Sequence, residues 1–384
     1  MDFLLTEDQQ MLREATREFC EKRVRPHAEE FDKKGAISDD VLREAGELGY
    51  FGLVIPEEYG GLGVDTVTYV IVMEELARVC ASLEIIISVH NSLVCHAITR
   101  FAGDEIKKTY LPRLATGEII GAYSLSEPGA GTDAGSLIAT AIRDGDHFVC
   151  NGTKSWVTNA GLAGITLVFF KTDPEAGKKG ISCILVEAGT EGMTLGKPED
   201  KLGLKASDTR EISFADARVP VAQVIGEEGR GLSIALAILD AGRIGVAAQA
   251  VGIAQGALEE GLRYSQQREQ FGQPIANFQA IQFKLADMAT RVDAGRLLTY
   301  RAAFLQDQPD SRPSCEIAIA KLFSSQMSNW VANEALQIHG GYGYIKEYPV
   351  ERFFRDARVT EIYEGTSEAQ RMVIARSLLT NGVK

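Results

Sequence analysis

Apolar side chains recur at helical spacing through the first third of the chain. Leu12, Ala15 and Phe19 follow one another at intervals of three and four residues, which places them on one face of a helix. Residues 6–9 (TEDQ) have the form of a capping box, so we expect that helix to begin there. Further helical patterns cover residues 41–48, 66–79, 83–101 and 104–115.

The middle of the chain has a different pattern, with more β-branched and aromatic residues and regular turn signals. Strands are predicted at residues 147–150, 166–172, 181–187 and 210–214. Turn-forming sequences separate them, as at Asn151-Gly152. Several short strands at regular spacing predict a small sheet or barrel.

The last third is helical again. Residues 232–267 form one long run rich in Ala, Leu and Ile, interrupted by glycines that permit close approach of another helix or a ligand. Leu285, Met288 and Val292 mark a second helix, and residues 314–339 and 367–379 predict two more. The predicted fold class is therefore mainly α with a central β-domain.

Composition narrows the class of protein. The 384 residues predict two or three domains, and 45% hydrophobic content allows a sizeable core. The formal charge of −13 argues against binding to nucleic acid or to an anionic membrane surface. Cysteines and histidines show no metal-binding spacing, so no metal site is expected. The N-terminus has no pattern of a targeting peptide, which predicts a cytoplasmic, bacterial location.

One segment near the C-terminus suggests a specific chemistry. In IYEGTSEAQR (residues 362–371), Glu364 lies between an aromatic residue and a glycine. A carboxylate among apolar neighbours has a raised pKa and can remove a proton from carbon. The alternative is an exposed loop carboxylate, and the local features alone favour it.

A second segment, YSLSEPGAGTD (residues 123–133), contains closely spaced glycines. It does not match the GxGxxG fingerprint, because Gly129, Gly131 and Gly135 have the wrong spacing. The segment predicts a tight turn whose backbone N–H groups and hydroxyls can hold a phosphate or a polar ring. The alternative is a plain β-turn.

Other candidate residues also have structural alternatives. Trp156 could stack on a planar cofactor or could be a core tryptophan. Arg268 could bind a diphosphate or could interact with a helix C-terminus. The glycines of QIHGGYG (residues 337–343) could be only a helix cap, and Asp240 and Arg243 could simply pair with each other.

Taken together and in order, these motifs resemble those of the acyl-CoA dehydrogenase family along essentially the whole chain, most closely the short-chain, butyryl-CoA type. The resemblance rests on PEEYGGLG, AYSLSEPGAGTD, GTKSWVTN, LDAGRIG, SQQREQFGQPI, QIHGGYGY and IYEGTSEAQR. It implies an α-helical domain at residues 1–118, a β-domain at 119–228 and a helical bundle at 229–384. It also implies FAD as cofactor, a homotetramer, and electron-transfer flavoprotein as electron acceptor.

The resemblance assigns roles to particular residues. The residues that it places around FAD in the same subunit are Tyr123, Leu125, Ser126, Thr132, Trp156, Thr158, Thr366 and Glu368. Those that it places on the adenosine diphosphate half, from a neighbouring subunit, are Arg268, Phe271, Gln279, Gln337, Gly340 and Gly341. The residues expected to meet the acyl-CoA substrate are Thr132, Asp240, Arg243 and Gly365. Glu364 would remove the pro-R α-proton while the β-hydride passes to flavin N5, as in fatty acid β-oxidation.

Two positions bear on the subtype. Long-chain and isovaleryl members carry their base at the position matching Gly242, so here Glu364 is the expected base. His339 stands where short-chain relatives have leucine and branched-chain members have histidine, which leaves straight short-chain, isobutyryl, 2-methylbutyryl and small alicyclic acyl groups open. An oxidase and a non-catalytic relative are less expected alternatives, and the retained Glu364 argues against the second.

Overall fold

The computed structural model describes residues 4–382 and has an α, then β, then α order. Residues 1–3, part of the segment used to judge targeting, lie outside the described residues, as do residues 383 and 384. The first helices are α1 Glu7–Phe19, α2 Ala28–Lys34, α3 Asp39–Glu47, α4 Thr66–Ser88, α5 His96–Phe101 and α6 Asp104–Ala115. The capping box is present, because the Thr6 and Gln9 side chains each bond the other's backbone N–H.

Helix α4 is the buried element of this N-terminal part. The sequence predicts two helices separated near residue 80, but the structure has one run that is kinked at Cys80, where φ is −148° and ψ is 93°. A π-helical segment, Val89–Cys95, continues the run into α5. Almost all of α4 after Thr68 is buried, so its apolar residues are not confined to one face.

The middle of the chain forms an eight-stranded mixed sheet. Its strands are β1 Ile120–Ser124, β2 Thr140–Asp144, β3 His147–Thr158, β4 Ala163–Lys171, β5 Ile181–Glu187, β6 Met193–Leu195, β7 Thr209–Pro220 and β8 Val224–Ile225. The order is β6-β7-β3-β2-β4-β5-β8, and β1 pairs with β4 in parallel. Of the two predicted forms, sheet or barrel, the described strands adopt the open sheet, because β6 and β8 do not pair.

The C-terminal helices pack as a bundle behind the sheet. They are α7 Gly231–Gln267, α8 Gln279–Gln306, α9 Ser314–His339, α10 Val350–Val359 and α11 Ser367–Asn381, and a short hairpin of β9 Glu269–Gln270 and β10 Gln273–Pro274 follows α7. The predicted helices at 232–267 and 314–339 are confirmed. Helix α10 was not predicted from the sequence.

Helix α7 connects the parts of the molecule. A Cβ atom at Gly252 would lie 2.4 Å from the Glu74 carbonyl oxygen, so glycine allows α7 to pack directly on α4. At the start of α7, a Cβ atom at Gly231 would lie 2.5 Å from the Ser182 backbone of β5. Among the described helices, α7 is long and apolar enough to cross a membrane, but 61% of its most apolar window is buried, as in the core helix of a globular protein.

The close approach at Gly252 predicts a stability effect. Gly252→Ala overpacks the contact between α7 and α4, and we expect a loss of about 1–3 kcal/mol in the free energy of unfolding. Gly261→Ala is the matched control on the same helix, since its Cβ would meet Ile338 at an ordinary 3.4 Å. The control should be as stable as wild type or up to about 1 kcal/mol more stable. Thermal unfolding of both variants measures this, and equal midpoints would contradict the packing argument.

Candidate active site

Glu364 lies in a tight turn between α10 and α11. Its φ is 52°, in the left-handed region that non-glycine residues seldom adopt, and φ of Gly365 is 96°. A Cβ atom at Gly365 would lie 2.7 Å from the Gln370 side-chain nitrogen. Helix α11 begins directly afterwards, where the Thr366 hydroxyl accepts a hydrogen bond from the Ala369 backbone N–H.

Hydrogen bonds from three side chains hold this turn. Lys321 Nζ donates to the Gly365 carbonyl oxygen at 2.8 Å, and Gln370 Nε2 donates to the same oxygen at 2.9 Å. Arg243 Nε donates to the Glu364 carbonyl oxygen at 3.2 Å. These contacts with α9, α11 and α7 fix the unusual backbone at Glu364, and thereby the direction of its side chain.

The Glu364 carboxylate is buried without a hydrogen-bond partner. Both oxygens are inaccessible and unpaired, although the residue as a whole is partly exposed. Burial raises the pKa of Glu364 to about 7, and the positive charges of Lys321 and Arg243 oppose the rise. A carboxylate with a pKa near neutrality and no competing donors is suited to general-base catalysis.

The carboxylate lies against the backbone of α7 at Gly242. A Cβ atom at Gly242 would stand 2.0 Å from Glu364 Oε2 and 2.7 Å from a Leu93 methyl carbon. A side chain at 242 and the carboxylate of Glu364 therefore cannot occupy these positions together. This contact supplies a steric reason for glycine at position 242, which the sequence analysis matched to the position of the base in other subtypes.

Tyr123, predicted to line the flavin, extends from β1 toward the same region. Its hydroxyl group is buried without a partner, and its ring lies 5.1 Å from Phe169. Burial raises the pKa of Tyr123, the Glu364 charge adds to the rise, and the Arg243 charge opposes it. Tyr123, Glu364 and Arg243 are therefore brought together.

A buried ion pair joins the segment at residues 123–133 to the segment at residues 154–159. Lys154 Nζ lies 2.7 Å from Glu127 Oε1, and both side chains are almost completely buried. The other Glu127 oxygen accepts the Ile138 backbone N–H at 2.6 Å. Lys154 also donates to the carbonyl oxygen of Leu125, a buried residue of the predicted set. The sequence reasoning missed this pair, although both residues lie inside the motifs that it identified.

The ion pair supports two exposed features, which are the turn at residues 127–130 and the irregularity of β3 at Trp156. Glu127 and Ala130 exchange backbone hydrogen bonds, so the predicted tight turn is present. Thr132 is exposed on it, and Ser126 is half-buried. Trp156 lies at an irregularity of β3 with φ of 61° and is 66% exposed, so the alternative of a core tryptophan is wrong.

A separate group of predicted residues lies at the far end of the bundle. A cavity of about 480 Å³ is lined by Tyr264, Arg268, Gln270, Ile275, Ile338, His339, Gly340, Gly341, Tyr342 and Ile345. The Arg268 guanidinium lies 5.3 Å from the centre of the Tyr342 ring. Phe271, Gln279 and Gln337 are exposed nearby in sequence. We call the ten lining residues the Arg268 cavity.

The Arg268 cavity is distant from Glu364 in the same chain. Gly242, which contacts Glu364, and Arg268 are separated by 26 residues along α7 and its cap, or about 39 Å at 1.5 Å per residue. His339 is similarly about 27 Å along α9 from Lys321, and its ring stacks on Tyr264. His339 therefore lies far from Glu364 of its own chain, since Lys321, which holds the Glu364 turn, is about 27 Å away from it along α9.

The remaining predicted residues lie beside the Glu364 turn. Arg243 pairs with Asp240 at 2.8 Å, and Ser314 donates to the other Asp240 oxygen at 2.5 Å. Glu368 is exposed on the first turn of α11 and pairs with Arg371 at 3.3 Å. Among residues 4–382, no group of His, Cys, Asp or Glu side chains could hold a metal ion.

Comparison with known proteins covers nearly the whole chain. The family models "Acyl-CoA dehydrogenase, N-terminal domain", "middle domain" and "C-terminal domain" match residues 6–118, 122–217 and 229–379. The short-chain specific acyl-CoA dehydrogenase of Bos taurus mitochondria is 48% identical over 376 residues, covering 98% of this chain and 91% of that protein.

Solved structures have the same fold. Butyryl-CoA dehydrogenase from Megasphaera elsdenii superimposes with a TM-score of 0.96 at 44% identity, over 99% of this chain and 100% of that chain. A chain from a study of the electron transferring flavoprotein of Acidaminococcus fermentans gives 0.97 at 45% identity, with the same coverage. A glutaryl-CoA dehydrogenase from Mycobacterium smegmatis in complex with FADH2 gives 0.93 at 32% identity, over 99% of this chain and 96% of that chain.

The contacts of Lys321 predict a pKa change. Lys321→Met removes the main positive charge near Glu364 and leaves the burial, so we expect the pKa of Glu364 to rise above about 7. Infrared difference titration of the carboxyl band measures it, with Glu364→Gln identifying the band. Lys284→Met, which removes the Lys284–Glu334 ion pair elsewhere in the bundle, should leave the value unchanged. An unchanged or lower pKa in Lys321→Met would show that Lys321 does not act on Glu364.

Proposed function

The chain belongs to the acyl-CoA dehydrogenase family, and we propose that it converts a short-chain acyl-CoA to the trans-2-enoyl-CoA with Glu364 as the α-proton base. As an acyl-CoA dehydrogenase, the protein is an FAD-dependent oxidoreductase. The observation that carries the proposal is the buried, unpaired Glu364 carboxylate with a pKa of about 7.

Glu364 has the properties that removal of an α-proton requires. Its pKa leaves a substantial ionised fraction at neutral pH, and its oxygens are free to accept a proton. The Glu364 backbone N–H also has no protein acceptor among the described residues. It is therefore available to the thioester oxygen, whose negative charge grows as the α-proton leaves.

The residues of the sheet fit a bound flavin. Trp156 exposes a large aromatic face, and the open turn after Ser126 carries Gly129 and Gly131 with no atom within 4 Å of a Cβ position. Tyr123, Leu125, Ser126, Thr132, Trp156, Thr158, Thr366 and Glu368 would hold this part of the cofactor. FAD, when bound, supplies the acceptor for the β-hydride.

A second subunit would complete the cofactor site. Arg268, Gly340 and Gly341 line one cavity that suits a diphosphate, but it lies about 39 Å along α7 from Glu364. One dinucleotide cannot span that length within one chain. We therefore propose that Arg268, Phe271, Gln279, Gln337, Gly340 and Gly341 serve the flavin of a neighbouring subunit, as the expected homotetramer requires.

The spacing of residues along helix α7 also favours a short acyl group in the substrate. Gly242, Gly245 and Gln249 lie on one face of α7, and they face Glu364, the Tyr69–Ser88 pair and Glu84 in turn. Gly242 and Gln249 are about 10 Å apart along the axis, so an acyl group that reached from one to the other would be short. The short-chain relative supports the same substrate class. A branched or alicyclic acyl group is the alternative, and His339, which lies far from Glu364 of its own chain, does not decide between them.

The electron acceptor and the residues that contact CoA are also proposed. The similarity to a chain from a study of electron transferring flavoprotein supports that protein as the electron acceptor. Asp240 and Arg243 are proposed to meet the CoA chain, with Thr132 and Gly365 also contacting the substrate. The cytoplasmic location and a role in fatty acid β-oxidation stay predictions.

Removal of the base tests the mechanism. Glu364→Gln keeps the side-chain shape but cannot take the proton, so anaerobic flavin reduction by butyryl-CoA should slow by about 10²–10⁴-fold. FAD content and product binding should stay near wild type. Glu361→Gln, three residues earlier and paired with Arg358, is the matched control and should react normally. Flavin reduction at the wild-type rate by Glu364→Gln would overturn the assignment, and so would a flavin that no acyl-CoA reduces.

Subunit mixing tests the shared site. Arg268→Ala and Glu364→Gln should each be inactive alone, through weak cofactor binding and loss of the base. When the two are co-expressed, a site built from Glu364 of one subunit and Arg268 of its neighbour is intact, so activity should return. If both residues served the same chain's flavin, no mixed assembly would contain an intact site. Failure of co-expressed, purified mixed oligomers to reduce flavin would therefore contradict sharing.

A further inference from the structure

A second carboxyl group is buried close to the proposed base. Glu84 lies on α4 and is completely buried. Gln249 of α7 donates a hydrogen bond from its side-chain nitrogen to Glu84 Oε2, while Glu84 Oε1 has no partner. None of the steps described above uses Glu84.

A chain of side chains connects Glu84 to the reaction site. The Tyr363 hydroxyl donates to Gln249 Oε1, and Tyr363 directly precedes Glu364. Gln249 thus bridges Glu84 and the residue before the base. Gln249 also shares a face of α7 with Gly242, which touches the Glu364 carboxylate. Glu84 therefore meets α7 about two helical turns from the point where Gly242 contacts the Glu364 carboxylate, on the same face of the helix.

The surroundings keep Glu84 neutral. Burial raises the pKa of Glu84 well above its usual value, and the nearby Glu364 charge raises it further, while the Gln249 hydrogen bond and the nearby Ser88 hydroxyl oppose the rise. Tyr69 and Tyr363, the other titratable groups close to Glu84, have pKa values raised by burial and are also neutral. No positive charge among the described residues acts on Glu84 in the way that Lys321 acts on Glu364.

A neutral Glu84 carries a carboxyl O–H group that has no hydrogen-bond acceptor in the protein. Since Oε2 already accepts the Gln249 amide, the carboxyl proton is best placed on Oε1, which meets no acceptor. The Ser88 hydroxyl, one turn further along α4, is hydrogen-bonded to the Tyr69 hydroxyl at 2.9 Å and leaves Oε1 without a partner. An unpaired buried donor lowers stability, and an apolar residue at position 84 would avoid this cost. A ligand atom that accepts a hydrogen bond from Glu84 would remove this cost.

We propose that Glu84 is a specificity-determining residue that donates a hydrogen bond to an acceptor oxygen at the distal end of a short acyl group. This inference rests on the proposed function, since it requires the acyl group to extend from Glu364 toward Gln249. The favoured substrate class is a short acyl-CoA whose tail carries an ether, hydroxyl or carbonyl oxygen, in preference to a purely hydrocarbon tail of equal length.

A matched pair of thioesters tests this preference. Hexanoyl-CoA and 4-methoxybutyryl-CoA have tails of equal length and differ by one methylene replaced by an ether oxygen, which only accepts hydrogen bonds. The measured quantity is the ratio of their rate constants for anaerobic flavin reduction, ether over alkyl, at subsaturating substrate. Each variant's ratio is internally controlled for changes in flavin content and folding.

Three variants separate the explanations. Glu84→Leu removes the donor and should lower the ratio by about 3–10-fold, the worth of one neutral hydrogen bond. Glu84→Gln keeps an N–H donor at nearly the same place and should retain most of the wild-type ratio. Leu83→Met, a buried conservative change beside it on α4, should leave the ratio as in wild type. Dissociation constants of the two thioesters for each variant in the Glu364→Gln background should change in the same sense.

The outcomes distinguish this inference from the proposed function. If butyryl-CoA does not reduce wild-type flavin, the proposed function fails first. If it does, and Glu84→Leu keeps the wild-type ratio while only its thermal stability changes, Glu84 is structural and the inference is overturned. A Glu84→Gln ratio as low as that of Glu84→Leu would also contradict donation from position 84.

Discussion

The contact between the Glu364 carboxylate and the backbone of Gly242 sets the conditions for the rest of the site. No side chain fits between them, so α7 and the turn before α11 approach closely and exclude water from the carboxylate. Exclusion of water raises the pKa of Glu364 toward neutrality. Lys321 and Arg243, which also hold the turn, keep the carboxyl ionisable. The same contacts therefore position the group and adjust its acidity.

The sheet contributes a second preorganised surface. The buried Lys154–Glu127 pair ties the turn after β1 to β3, and burial lowers the pKa of Lys154 to about 8, with Glu127 opposing the shift. A buried pair of this kind is costly to break from one side, so it fixes the relation between the two segments. The strained backbone at Trp156 is held on this rigid base. The aromatic face is thus presented to solvent, where FAD is expected, and not folded into the core.

Helices α7 and α9 were predictable from the sequence, because one hydrophobic pattern continues along the whole length of each. The kink at Cys80 and the short strand β1 were not, because tertiary packing determines them and local sequence does not. Glu364 was predictable only from its motif. Lys321, Gln249 and Glu84 were missed, since each acts through contacts with residues far away in sequence. The position of His339 was not predictable for the same reason, because the length of α9 places it away from Glu364 of its own chain.

The most direct test of Glu364 as a base of near-neutral pKa is the pH dependence of flavin reduction by butyryl-CoA deuterated at C2. At subsaturating substrate the rate constant reports the free enzyme, so it should rise with pH and level off with a midpoint near the Glu364 pKa of about 7. Deuterium at C2 should slow the reaction throughout. A rate that is independent of pH around neutrality, with no isotope effect, would contradict proton removal by Glu364.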